Sequence, residues 1–129
     1  LNPCLFPPNF AQIGQQFTEA FYGTLQTNKE QLVNFYHDQA MLTYEGSQVQ
    51  GKAGILEKYK SLSFQRIAAA VTNADYQPME NGVLIAVNGQ LKVDDSPQAL
   101  AFCESFLLRN FGGNFAIVNH VFRLSIHNF

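Results

Sequence analysis

The chain has 129 residues and a mass of 14.4 kDa; 47% of it is hydrophobic, 14% is charged, and its formal charge is −2. That length is one domain at ~100–200 residues per domain, with roughly two-thirds of the unfolded surface buried, so a packed core is expected and disorder is excluded. Eight Lys and Arg against ten Asp and Glu disfavour a basic nucleic-acid surface, and no apolar run approaches the ~18 residues of a spanning helix.

Residues 1–8 read as an extended arm, because Pro7-Pro8 cannot enter a helix interior. The domain proper runs over 9–129. Asn9 is placed as an N-cap with Gln12 completing a capping box, and Phe10, Ile13, Phe17, Phe21 and Leu25 mark one stripe of a long helix. A second capping box over 27–30 opens a short helix through Leu32, Val33 and Tyr36. Residues 41–44 and 47–50 read as strands around a Glu45-Gly46 turn. Gly51 breaks that pattern, and Ile55, Leu56, Tyr59 and Leu62 space out a third helix.

The second half reads as strands over 64–75, 83–91, 100–109 and 115–124. Turns fall at Asn81-Gly82, at the Asp94-Asp95-Ser96-Pro97 cluster and at Gly112-Gly113-Asn114. In 100–109 the alternation runs through Phe102, Glu104, Phe106 and Leu108. Helices followed by strands make an α+β layout. The expected architecture is a cone-like curved antiparallel sheet wrapped on the long N-terminal helix with two shorter helices. Such a cone has an internal pocket and an exposed outer sheet face.

Most catalytic chemistry lacks its residues. His37, His120 and His127 are dispersed, and Cys4 and Cys103 have neither metal nor redox spacing, so no metal site or cofactor is expected. Both thiols read as reduced and the compartment as intracellular, with no signal peptide in view. Gly112-Gly113 lacks the Lys and Ser/Thr of a phosphate loop, and no G-x-S-x-G occurs. One enzymatic set stands open: Asp75, Tyr44, Glu45 and His120 could move protons inside the cone. The plainer reading is that Asp75 and Glu45 satisfy turn or sheet-end donors and that His120 is an ordinary strand residue. Glu45 and the Asp94-Asp95 pair read either as solvated turns or as the negative rim of an aromatic cavity beside Tyr44. A basic partner with an apolar plug would fit such a rim.

Several stretches in order resemble the nuclear transport factor 2 family. They are Phe10-Ala-Gln-Ile-Gly-Gln-Gln-Phe17, Leu42-Thr-Tyr-Glu-Gly46 with Gly51-Lys52 and Ile55-Leu-Glu-Lys58, Leu62-Ser-Phe-Gln-Arg-Ile67, Asp75-Tyr-Gln-Pro78, Gly89-Gln-Leu-Lys92, and the closing Phe122-Arg-Leu-Ser-Ile-His-Asn-Phe129. The resemblance spans 9–129 and implies a homodimer without catalysis or cofactor. It implies two partners, the GDP-bound Ran GTPase and FxFG-type nucleoporin repeats, with residence in cytoplasm and nucleus and enrichment at the pore. For Ran it implies an aromatic cavity at Tyr44, Leu62, Ile67 and Phe122, rimmed by Glu45, Asp94 and Asp95. For the repeats it implies Phe10. The chain departs from the family pattern at Ser96, where a third acid is common, and at Tyr44 and Phe10, where Trp is common. It departs again at His120, where an acid usually follows the Asn. Two other expectations share the fold: an adaptor subunit in messenger-RNA export, and a small-molecule enzyme using the cone pocket.

Overall fold

Helix α1 (Phe10–Thr27) forms on the predicted apolar stripe and buries Phe21 and Tyr22 against the sheet. The structure is a computed structural model that describes residues 6–125. Most of the N-terminal arm, with Cys4, and His127 near the other end lie outside the described residues. Asn9 occupies the N-cap, but its side chain makes no capping bond, so the expected box with Gln12 does not form. Thr27 is the last residue of α1, and its hydroxyl bonds back to the Gly23 carbonyl. The next cap is therefore Asn28, whose side chain accepts the Glu30 N–H and opens a seven-residue 3₁₀ helix, Lys29–Phe35.

Strand β1 (Tyr36–Tyr44) starts earlier than its apolar pattern suggests, because Tyr36 already pairs with Ile117. A two-residue turn, Glu45-Gly46, returns the chain into β2 (Ser47–Gln50). Both turn residues have positive φ, 50° and 84°, as a tight right-twisting hairpin requires. Helix α2 (Lys52–Ser61) buries Ile55 and Tyr59. Strands β3 (Ile67–Met79), β4 (Gly82–Val93), β5 (Leu100–Phe111) and β6 (Asn114–Leu124) follow. Strand β3 begins three residues later than expected, since residues 62–66 form a loop. Pro78 is tolerated in β3 because that strand is an edge of the sheet.

The sheet order is β2-β1-β6-β5-β4-β3. Four pairings are antiparallel, but β1 and β6 run parallel, so the sheet is mixed. Alternation cannot disclose this, since the two strands come from opposite ends of the domain. The inner face of β4 carries Val83, Ile85, Val87 and Leu91, all buried, while Leu84, Ala86 and Asn88 face outward. Register shifts interrupt the β3–β4, β5–β6 and β1–β6 ladders, and such irregularities bend a sheet. The fold is α+β, a curved sheet closed on one side by α1 and α2. Close approach of α1 to β3 depends on Gly14, where a Cβ would lie 2.3 Å from the Tyr76 ring.

Candidate functional site

The concave face of the sheet holds a cavity of about 40 Å³ between β1, β5, β6 and the two α-helices. Seven of its fifteen lining residues are Phe or Tyr. Its mouth is marked by the half-buried Tyr44, Leu62, Phe64 and Ile67, and its interior by the buried Phe21, Phe102 and Phe122. Tyr44 ends β1, Leu62 follows α2, Ile67 opens β3 and Phe122 lies on β6, so four separate elements meet there. Tyr44 and Phe122 stack with ring centroids 4.8 Å apart. The Lys58 ammonium sits 5.1 Å over the Tyr44 ring, and Lys29 sits 4.7 Å over Phe64.

Glu45, Asp94 and Asp95 do not line the cavity; Glu45 follows Tyr44 in the chain, Asp94 bonds to the loop that carries Leu62 and Phe64, and each acid is tied to backbone or to a cation. Glu45 is exposed in the turn after Tyr44, where its carboxylate accepts the Leu124 N–H. Asp94, with φ 51°, accepts the Gln65 and Arg66 N–H groups at 2.8 and 2.9 Å and returns its own N–H to the Arg66 carbonyl. The Arg66 and Gln65 amide bonds hold its carboxyl below the usual carboxylate range, with the Arg66 charge adding to them. Asp95 pairs with the Arg66 guanidinium at 2.7 Å, both side chains exposed. The loop over 62–66 is thus pinned by Asp94 on one side and by Lys29, which donates to the Leu62 carbonyl, on the other.

The remaining candidates lie elsewhere. Phe10 is half-buried at the start of α1 and packs against the core. Asp75 is exposed on β3 and does not line the cavity, so the set with Tyr44, Glu45 and His120 is not assembled. Among the described residues no group of three or more His, Cys, Asp or Glu could hold a metal ion, and no helix is long and apolar enough to cross a membrane.

His120, expected as an ordinary strand residue, is buried at the cavity floor beside Glu104. Its Nε2 lies 2.6 Å from Glu104 Oε2, and its Nδ1 lies 2.7 Å from the Tyr36 hydroxyl. Tyr36 continues to Tyr59 at 2.5 Å, and Tyr22 donates to the other Glu104 oxygen. The irregularity between Leu107 and Leu108 explains the placement of His120. It shifts the phase of β6, so Ile117 and His120 both face inward although they are three positions apart. Glu104 has a plainer signal, for it keeps step with Phe102, Phe106 and Leu108 and so falls on the apolar face. Burial foremost, with Glu104 adding to it, raises the phenol pKa of Tyr22, while burial and the neighbouring tyrosine dominate at Tyr36. At Tyr59 burial outweighs the opposing effect of the hydrogen bond shared with Tyr36.

The model of the nuclear transport factor 2 domain matches residues 13–124. Nuclear transport factor 2 of Eremothecium gossypii is 42% identical over 119 residues, covering 91% of this chain and 95% of that protein. The chain belongs to the nuclear transport factor 2 family. The solved structure of nuclear transport factor 2 from Cryptosporidium parvum superposes with a TM-score of 0.89 at 43% identity, over 93% of this chain and 98% of that one. A nuclear transport factor 2 role lies in nucleocytoplasmic transport, and similarity to these named factors places the chain on that side of the fold's repertoire. The fold is wider than the role: a putative dehydratase from Streptomyces avermitilis shares it at 13% identity and a TM-score of 0.79, over 92% of this chain and 97% of that one.

Proposed function

We propose that this chain is a nuclear import carrier that binds the GDP-bound form of Ran and FxFG-type nucleoporin repeats as a homodimer, without catalysis. The observation that carries the reading is the mouth of the aromatic cavity, where Tyr44 stacks on Phe122, Glu45 follows Tyr44 in the chain and Asp94 holds the loop that carries Leu62 and Phe64. An aromatic side chain entering between Leu62 and Tyr44 gains apolar burial, while basic flanks meet the acids. Exposed ion pairs contribute ~0.2–1 kcal/mol and desolvated ones ~1.5–7 kcal/mol, so the plug must exclude water for the rim to matter. A cavity of about 40 Å³ takes only the leading edge of a ring, and full entry requires Leu62 and Phe64 to turn aside.

Selectivity for the GDP form then lies in the GTPase, whose switch presents its aromatic residue in one nucleotide state. The enzyme alternative is weakened by the floor itself, since both ring nitrogens of His120 are already hydrogen-bonded and neither is free for a substrate. The homodimer reading draws on the outer sheet face, where Val71, Leu84 and Val121 are 42%, 40% and 45% exposed. Ala86, Ser105 and Val121 form one row across β4, β5 and β6 there, small enough to seat a second sheet. Phe10 offers the repeats an aromatic edge. The carrier places itself in cytoplasm and nucleus, concentrated at the pore. Affinity capture with Ran loaded with GDP or with a non-hydrolysable GTP analogue tests the reading. Retention of the GDP form alone is expected; retention of neither form returns the adaptor reading.

A further inference from the structure

The cavity of about 40 Å³ is too small for an aromatic ring, since a dry apolar cavity that admits benzene measures about 150 Å³. The shortfall is about the size of one ring, and one ring stands at the lip. Phe64 lies on the loop over 62–66 and lines two concavities at once, the aromatic cavity and an adjoining groove of about 480 Å³. That groove is polar, with Gln26, Asn28, Lys60 and Gln65 in its walls. Phe64 therefore has the tight aromatic cavity on one side and a roomier polar groove on the other.

The loop is held at both ends and free between them. The Leu62 N–H donates to the Tyr59 carbonyl and the Leu62 carbonyl accepts from Lys29, while Gln65 and Arg66 donate to Asp94. The Ser63 and Phe64 amides make no hydrogen bond among the described residues. Tyr44, by contrast, sits in the β1 ladders opposite Ser47 and Phe122, and Ile67 sits opposite Val93. What holds the Phe64 ring is Lys29, whose ammonium lies 4.7 Å over it while donating to the Leu62 carbonyl. We propose that Phe64 is a displaceable plug: the chain's own ring occupies the place of an incoming aromatic side chain, Lys29 latches it there, and the entering ring drives it into the polar groove. The exchange is ring for ring, so the space that Phe64 gives up supplies what the cavity lacks. The inference rests on the reading that an aromatic side chain enters this cavity, and it adds what must leave and what holds it.

Toluene has the shape of a phenylalanine side chain and tests the plug on the full chain without Ran. In nuclear magnetic resonance, Overhauser contacts between the Phe64 ring and the Lys29 methylenes are expected in the free protein and are expected to vanish as toluene saturates it. Phe64→Ala leaves the space open and is expected to bind toluene at least about tenfold more tightly than the wild type. Lys29→Met keeps the stem without the charge and is expected to bind it about two- to fivefold more tightly, the factor that an exposed cation–ring contact carries. Should Phe64→Ala not fold, loss of the wild-type Phe64–Lys29 contact decides. Toluene bound with that contact intact, equal affinity in the wild type and Phe64→Ala, or no binding to either protein overturns the proposal, and unchanged affinity in Lys29→Met overturns the latch. Capture of GDP-loaded Ran is scored separately: toluene displacing Phe64 in a chain that does not retain Ran supports the plug without the carrier, and Ran retained by a chain whose Phe64 stays in place under toluene overturns the plug and leaves the carrier.

Discussion

Glu45 both shapes its turn and charges the mouth, and two substitutions separate these roles. Glu45→Gln keeps the length and the acceptor for the Leu124 N–H while removing the charge. Glu45→Lys replaces attraction of a basic flank by repulsion. Calorimetry with Ran-GDP is expected to show a loss of at least ~100-fold for Glu45→Lys, about 2.7 kcal/mol, and a smaller loss for Glu45→Gln. Unchanged affinity in Glu45→Lys with native circular dichroism removes the acid from the interface. Asp94 behaves differently, because its carboxylate is the clamp on Gln65 and Arg66. Asp94→Asn retains a side-chain oxygen for those amides and is expected to be mild, whereas Asp94→Ala frees the loop that forms the lip. The lowered pKa of Asp94 fixes the sign of its pH dependence. The clamp is fully present above the normal carboxylate pKa and is lost as pH falls through the depressed folded value. Exchange at the Gln65 and Arg66 amides, corrected for intrinsic rates, is expected to accelerate over that acid range and to stay fast at all pH in Asp94→Ala.

Between elements, α1 meets β3 where Gly14 faces the Tyr76 ring and Thr18 shares a hydrogen bond with the Tyr76 hydroxyl. Gly14→Ala adds a methyl into ring carbons at 2.3 Å, and the nearest atoms belong to a ring held by its own bond. Overpacking of this kind costs about 1–3 kcal/mol, which outweighs the gain of up to ~1 kcal/mol in helix propensity from replacing Gly. Urea unfolding is expected to show net destabilisation, and a stabilised Gly14→Ala would mean that the helix can lift from the strand. Tyrosines 22, 36 and 59 join α1, β1 and α2 to the sheet through Glu104 and His120, and burial raises all three phenol pKa values. A raised folded pKa means that the native state keeps protons the unfolded chain releases above pH ~10. Stability therefore falls as pH rises past that point, by about 1.4 kcal/mol per pH unit for each phenol. Absorbance of tyrosinate is expected to appear for these three only together with unfolding, monitored by far-ultraviolet circular dichroism. Early ionisation in a folded protein would contradict their burial.

For the whole molecule, the decisive question is what covers the outer sheet face. If a second copy does, light scattering gives about twice 14.4 kDa at micromolar concentration. Cys103 reports on the same face, since it is exposed on β5 in the single chain and faces outward between Ala101 and Ser105. Alkylation of Cys103, followed on its own peptide by mass spectrometry, is expected to slow as protein concentration rises. A concentration-independent rate with a monomer mass would refute the sheet-to-sheet dimer. The proposed repeat binding belongs to this scale as well, because a single repeat is expected to bind weakly and two copies to multiply it. Phe10→Ala is expected to reduce repeat binding while Ran-GDP binding survives. Its half-buried contact with the core makes loss of thermal stability the opposing outcome.

Helix α1, the turn at Glu45-Gly46 and the alternation of β4 were legible in the sequence because each follows from neighbours a few positions apart. The apolar stripe, the positive-φ turn and the period of two are local consequences of side-chain spacing. The family was legible too, in ordered stretches from Phe10 onward. Other features depended on contacts between distant parts of the chain. The parallel β1–β6 pair joins opposite ends of the domain, and the early start of β1 follows from it. Asp94 became a clamp because the loop over 62–66 folds back onto a turn nearly thirty residues away. His120 turned inward because a one-residue irregularity in β6 reverses every side chain beyond it. Spacing could place Glu104 among the inward-facing apolar positions of β5. Only the folded chain brought it to His120 and the three tyrosines, where burial removes water and hydrogen bonds tie the five side chains together.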